Sequence, residues 1–174
     1  MVGTTMTQEK LELAARYAVG LTAMAQDVIA ANRYFVLGTA HPDGHPRVSP
    51  VYFNHHEHRV FYWVSSPNSQ HSRNLSADPR LNAVIFDSSV PPPETRAVYL
   101  TGSAAEVHEA DLSDEVPRAF LQVRAPEQAM SVEDLSGDGD LRLYRLDVRT
   151  AEVHARGGHP EWGMGIDTRL PVTL

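Results

Sequence analysis

Apolar positions along residues 8–31 recur at three- and four-residue steps: Leu11, Ala14, Ala15, Ala18, Leu21, Met24, Ala25 and Val28. That period predicts one helix over 8–31, with Thr7 as N-cap and Asn32 as its stop. The pattern then shortens. Tyr34 to Thr39 is a run of aromatic and β-branched residues, followed by the turn His41-Pro42-Asp43-Gly44. Arg47 to Phe53 and Val60 to Val64 read as further strands, with Asn54 to His58 as a polar turn between them. A loop over 65–68 leads to a short helix, Ser69 to Ala77, which ends before Asp78-Pro79. Leu81 to Phe86 is apolar and strand-like, whereas Ser88 to Thr95 carries three consecutive prolines and is excluded from a sheet interior.

Arg96 to His108 predicts a long strand in which Gly102 marks a bulge or a close approach. Asp111 to Val123 predicts a second amphipathic helix, and Leu141 to Val148 another strand, continued by Ala151 to Ala155. The expected organisation is an N-terminal helix (1–32), one domain (33–156) and a Gly/Pro-rich tail (157–174). About six strands joined by tight turns, with helices at the start and inserted, predict a mainly β fold: a small antiparallel barrel flanked by α-helices.

Composition narrows the chemistry. The chain has 174 residues, 42% hydrophobic and 21% charged, which is globular composition. It contains no cysteine, which excludes disulfides, thiolate metal sites and thiol catalysis. A net charge of -7 argues against a nucleic-acid partner. Lys10 is the only lysine, so a phosphate site must use arginine, histidine, hydroxyls or backbone N–H groups. No stretch approaches the roughly 20 apolar residues of a membrane span. The polar start around Glu9 and Lys10 does not resemble a signal peptide. A cytoplasmic protein with no membrane or nucleic-acid partner is expected.

One region carries more information. The strand Val60-Phe61-Tyr62-Trp63-Val64 runs into a polar loop, then Ser69-Gln70-His71-Ser72-Arg73-Asn74-Leu75, then Asp78-Pro79-Arg80. With the preceding Gly44-His45-Pro46-Arg47-Val48-Ser49-Pro50-Val51, this order resembles the pyridoxamine-phosphate-oxidase-like family over roughly residues 30–150. The resemblance implies a six-stranded antiparallel split β-barrel. It also implies a homodimer with flavin mononucleotide (FMN) between the subunits and a small-molecule substrate. It assigns the phosphate to Arg47 and the triplet Ser69, Gln70 and His71. Val48, Ser49, Tyr62, Trp63 and Ser65 would lie along the ring and ribityl chain, with Arg96 contacting the groove from a neighbouring strand. The function implied is an FMN-dependent oxidoreductase with no side-chain acid or base assigned. The alternatives are a deazaflavin-dependent reductase, or a non-enzymatic dimer that binds flavin or haem.

The sequence departs from the oxidases in two places. Gln70 and His71 replace two cations of the family's Ser-Arg-Lys triplet. The family's C-terminal Arg-Leu-His-Asp-Arg motif is absent, and Arg169-Leu170-Pro171 only loosely echoes the oxidase ending. Pyridoxal phosphate synthesis is therefore not expected. His55, His56 and His58 invite a metal reading but fall in a polar turn without a spaced partner, so a solvated turn is expected and no metal is assigned. Neither a nucleophile elbow nor a Gly-rich nucleotide loop is present.

Overall fold

A computed structural model describes residues 8–122 and 129–174. The predicted N-terminal helix is two: α1 (Gln8–Arg16) and α2 (Ala18–Ala31). Tyr17, at φ -109°, breaks the helix, and its ring meets Trp162 of the C-terminal segment edge-on at 5.8 Å. That contact is tertiary, so the periodicity could not announce it.

Eight antiparallel strands form one sheet: β1 (Tyr34–Ala40), β2 (Pro46–Tyr52), β3 (Asn54–His56), β4 (Val60–Ser65), β5 (Arg80–Phe86), β6 (Ala97–Glu106), β7 (Arg142–Ala155) and β8 (Thr168–Val172). The order is β2-β1-β5-β6-β7-β4-β3, with β8 also on β7. β2 and β3 stand at opposite ends of that order, yet only Phe53 separates them in the chain. The sheet must therefore curl until its ends meet, which gives the split barrel. The six longer strands are the expected ones.

Three further sequence expectations are corrected. Asn54–His56 is a short strand rather than a turn, because its pairing with Tyr62–Val60 buries Asn54 and His55. The turn itself is Glu57 and His58, both at positive φ. The expected continuation of the strand at 141–148 through Ala155 is present: β7 runs unbroken from Arg142 to Ala155 because β6 and β8 give it partners along its length. The tail is not merely appended. Leu170 of β8 is fully buried, and the Leu174 and Thr173 carbonyls accept from Arg59 and Thr22. Finally, the second helix, α4 (Leu112–Ala119), is shorter than predicted and ends two residues after Pro117. Val123, its predicted end, lies outside the described residues.

The bulge expected at Gly102 is present. The β6–β7 register shifts between Thr101 and Gly102, and a Cβ at Gly102 would sit 2.2 Å from the Asp147 carbonyl oxygen. The prolines of β2 are tolerated because this strand ends the sheet order and Pro46 and Pro50 need not donate outward.

Strand alternation sorts the side chains into two cores. Inside the barrel, Phe35 stacks on Phe53 at 5.0 Å and meets Trp63 edge-on at 5.7 Å, with Phe61 alongside. On the other face of β4, Tyr62 packs with Leu112, Val116, Leu135 and Leu143 beneath α4. Tyr62 and Trp63 thus point to opposite faces, as adjacent strand residues must. Among the described residues, no helix is long and apolar enough to cross a membrane.

Candidate functional site

The third helix, α3 (Gln70–Ala77), follows β4 after a four-residue loop. Ser69 caps it: its Oγ accepts from the Ser72 backbone N–H at 3.3 Å. Capping leaves the first-turn N–H groups of Gln70 and His71 at the positive end of the helix dipole, where anions are favoured. The first turn contains no acidic residue to compete.

A buried bond sets where this helix end sits. Asn74, 1% exposed, donates its Nδ2 to Thr39 Oγ1 of β1 at 3.0 Å. Arg47 of β2 lies directly opposite Thr39 in the strand register. Two segments more than 20 residues apart in sequence are thereby joined, and the Arg47 charge acts on His71. The His71 imidazole is held below its ordinary pKa by burial, with the Arg47 charge adding to the effect. Its Nε2 lies 2.9 Å from Ser65 Oγ, which is itself 3.3 Å from Ser69 Oγ, and Ser69 Oγ donates to Ser72 Oγ at 2.8 Å. Arg47, Ser65, Ser69, Gln70 and His71 therefore share one corner.

Four residues of this corner, Thr39, His41, Arg73 and Asn74, were not picked out from the sequence. Gln70, standing where the family has a cation, holds one instead: its Oε1 accepts from Arg73 Nη2 at 2.7 Å, and Arg73 Nη1 donates to the Asn68 carbonyl. Gln70 Nε2 donates to Asn74 Oδ1 at 2.9 Å and lies 3.5 Å from His41 Nδ1. Arg73 was legible as the fourth residue after the loop, one helical turn from Ser69. His41 and Thr39 become neighbours only through sheet pairing.

The other predicted residues fall elsewhere. Val48, 70% exposed, and half-buried Ser49 lie on β2, next to Arg47. Trp63 and Tyr62 are both buried, at 2% and 1% exposure. Trp63 stacks on Tyr144 at 5.5 Å, and its Nε1 is buried without a hydrogen-bond partner. Tyr62 donates its hydroxyl to Glu115 Oε2 at 2.5 Å; Glu115, 6% exposed, also accepts from Arg118 at 3.1 Å and Arg145 at 2.9 Å. Burial first, then Glu115, pushes the Tyr62 phenol well above its ordinary pKa, so it stays protonated.

Arg96 is not brought to the corner within one chain. It precedes Ala97, which pairs with Phe86, whereas the β1 residue nearest Thr39 in the β1–β5 register, Gly38, pairs with Asn82 and through it Thr101. Five strand residues place Arg96 about 16 Å along β6 from that level. It lines a separate cleft against α2 with Asp27, Glu94, His154, His159 and Trp162. Across the β3–β4 hairpin, His55 of β3 stacks on His58 of the turn at 4.4 Å; among the described residues no group of three or more His, Asp or Glu is arranged to hold a metal ion.

The sequence model described as pyridoxamine 5'-phosphate oxidase matches residues 21–155. No curated protein matches the chain in sequence. Among solved structures, a heme binding protein from Mycobacterium smegmatis aligns over 85% of this chain and 56% of its own, with TM-score 0.61 and 20% identity. This chain thus spans little more than half the length of that protein. The heme storage protein HutZ from Vibrio cholerae aligns over 80% of this chain and 94% of its own, at TM-score 0.52 and 16% identity. General Stress Protein 26 from Bacillus anthracis aligns over 76% and 92%, at TM-score 0.53 and 15% identity. At such identities the likeness is one of fold.

Proposed function

The chain belongs to the pyridoxamine 5'-phosphate oxidase family, its family match covering most of the sequence, and on that premise we propose that it is an FMN-dependent oxidoreductase of small molecules. The observation that carries this is the corner where Arg47, Ser65, Ser69 and His71 meet the N-terminus of α3. A phosphate monoester wants charge-assisted donors, and arginine offers a planar fork for it. The corner supplies one strand arginine, a second on the helix (Arg73), hydroxyls and free N–H groups, so it fits the group despite the missing triplet cations.

Arg47 and the α3 N-terminus would hold the phosphate, with Ser65 and Ser69 donating to its oxygens. The outer edge of β2 at Val48 and Ser49, which ends the strand order, would offer backbone groups to the ribityl chain and ring. Bound FMN supplies reversible two-electron chemistry, which is the cofactor's own. The protein's part is to fix the phosphate, align the ring along β2 and β4, and exclude water. The exposed β2 face, with Val48 at its centre, is also where a second copy of the chain would pack, so a homodimer with the cofactor between subunits goes with this reading. Arg96 then belongs to the partner's side of the groove or to no cofactor site. We take the protein to work in the cytoplasm.

Two fold neighbours are described as a heme binding and a heme storage protein, and this motivates a second reading, a non-enzymatic haem-binding dimer. A deazaflavin coenzyme would compete for the same corner. Absorbance of the freshly purified protein separates these readings. Flavin bands that disappear in an Arg47→Ala, His71→Ala double variant support FMN at this corner. A Soret band, or flavin bands that persist in the double variant, would overturn it.

A further inference from the structure

His71 stands in the first turn of α3, in the corner read as the phosphate site, and its Nε2 lies 2.9 Å from Ser65 Oγ. We propose that this imidazole is a proton-operated cation for the corner. The affinity of the chain for a phosphate monoester rises as pH falls through the neutral range, with up to one proton taken up for each phosphate bound. The proposal rests on the flavin reading for the position of the phosphate and adds the regulation of that site.

Three observations carry it. The first is charge. A phosphate monoester brings close to two negative charges near neutral pH. Arg47 supplies one positive charge, and it acts on His71. The Arg73 guanidinium is already given to Gln70 Oε1 and the Asn68 carbonyl. The corner is short of a second cation, and His71 is the group placed to become one.

The second is the hydrogen-bond pattern. The single proton of Ser65 Oγ goes to Ser69 Oγ at 3.3 Å or to a ligand oxygen. In either case a lone pair of Ser65 faces His71, so Nε2 keeps its proton and Nδ1 takes up the second. Protonation then adds a charge and a donor without breaking the bond to Ser65.

The third is the set of charged neighbours. Among the described residues no carboxylate is bonded to His71, and the first turn of α3 contains no acid. β1 carries no charged residue. On the turn before β2, His41 Nδ1 lies 3.5 Å from Gln70 Nε2, and Asp43 accepts from the His45 N–H. On β6, Glu106 is paired with Arg142 at 3.5 Å and is reached from α3 through Ser72 and the Tyr144 hydroxyl. Asp78 is paired with Arg80 beyond the far end of the helix. Burial and the Arg47 charge therefore favour neutral His71 until an anion arrives. The anion reverses that balance, so the bound chain holds the proton more tightly than the free chain and a lower pH favours binding.

The test titrates the full chain with FMN and with riboflavin at about pH 6, 7 and 8, and repeats the FMN calorimetry in two buffers of different ionisation heat. The preference for FMN over riboflavin is expected to grow about ten-fold from the highest pH to the lowest, with proton uptake in the calorimeter and a level riboflavin profile. His71→Gln is expected to abolish both the slope and the proton uptake. His71→Arg is expected to keep a strong FMN preference at every pH. The phosphate's own second ionisation is common to all three chains and cancels in the comparison. A level FMN preference across this range, or a slope that survives His71→Gln, overturns the proposal and leaves the phosphate corner standing. FMN and riboflavin bound alike at every pH would remove the flavin reading, and the proposal with it.

Discussion

Replacing Asn74 with leucine probes the bond that brings the two halves of the phosphate corner together. Asn74 is a buried side chain of α3 that donates to Thr39 Oγ1 at 3.0 Å and accepts from Gln70 Nε2 at 2.9 Å. Leucine has similar volume, so the packing change is small. Two side-chain hydrogen bonds are lost: the part-buried one from Gln70, whose amide can turn to water, and the buried one to Thr39, about 1 kcal/mol net, which leaves the Thr39 hydroxyl buried without its donor at about another 1–3 kcal/mol. The single variant should therefore lose about 2–4 kcal/mol in urea unfolding. Thr39→Val in the same background removes the orphaned hydroxyl. The double variant should recover part of the loss, with a coupling of at least about 1 kcal/mol. FMN affinity should fall in the single variant as well, because the helix end is no longer tied to the strand that faces Arg47. A cost under about 0.5 kcal/mol, or strictly additive substitutions, would show that this bond does not set the helix position.

Other outcomes follow from the same geometry. Gly102→Val should prevent stable folding, since its Cβ would meet the Asp147 carbonyl at 2.2 Å; a soluble variant with an unchanged melting temperature would contradict the bulge. Glu57 and His58 both adopt positive φ, at a cost of about 1–2 kcal/mol each for an L residue, so His58→Gly should raise the urea midpoint. His58 and His71 are both held below the ordinary 6.5, chiefly by burial. The unfolded chain therefore takes up protons first as pH falls. Stability should be complete above about pH 7 and decline through 6.5 and below, and a His58→Gln, His71→Gln variant should show a flatter melting-temperature profile between pH 7.5 and 5.5. Arg73→Ala should weaken FMN less than Arg47→Ala in the same titration, because the Arg73 guanidinium is already engaged by Gln70 Oε1 and the Asn68 carbonyl.

The strands of the barrel were legible because each is short, alternates and is bounded by turn residues; Pro42-Asp43-Gly44 and Asp78-Pro79 are local signals. The short helix from Ser69 to Ala77 was likewise read from neighbouring residues, and Ser69 proves to be its cap, one residue outside it. What escaped was set by distant partners. The break at Tyr17 answers to Trp162, the strand at 168–172 needs the far half of β7, and Asn54–His56 pairs only because β4 turns back on it. The same division holds at the site. Ser69, Gln70 and His71 are consecutive and were read together, and Arg47 joined them by family resemblance. Thr39 and His41 lie in a run that reads as ordinary strand and turn, and only the β1–β2 register and the packing of α3 give them a role. Arg96 was assigned by family resemblance, but its place just before β6 puts it at the other end.

FMN and riboflavin differ only in the phosphate, so titrating both against the purified chain isolates the corner at Arg47 and α3. The account predicts that FMN binds about 100-fold more tightly than riboflavin, equivalent to two charge-assisted hydrogen bonds, and that Arg47→Ala removes most of that difference. Equal affinity for the two, or an FMN preference that survives Arg47→Ala, would contradict it.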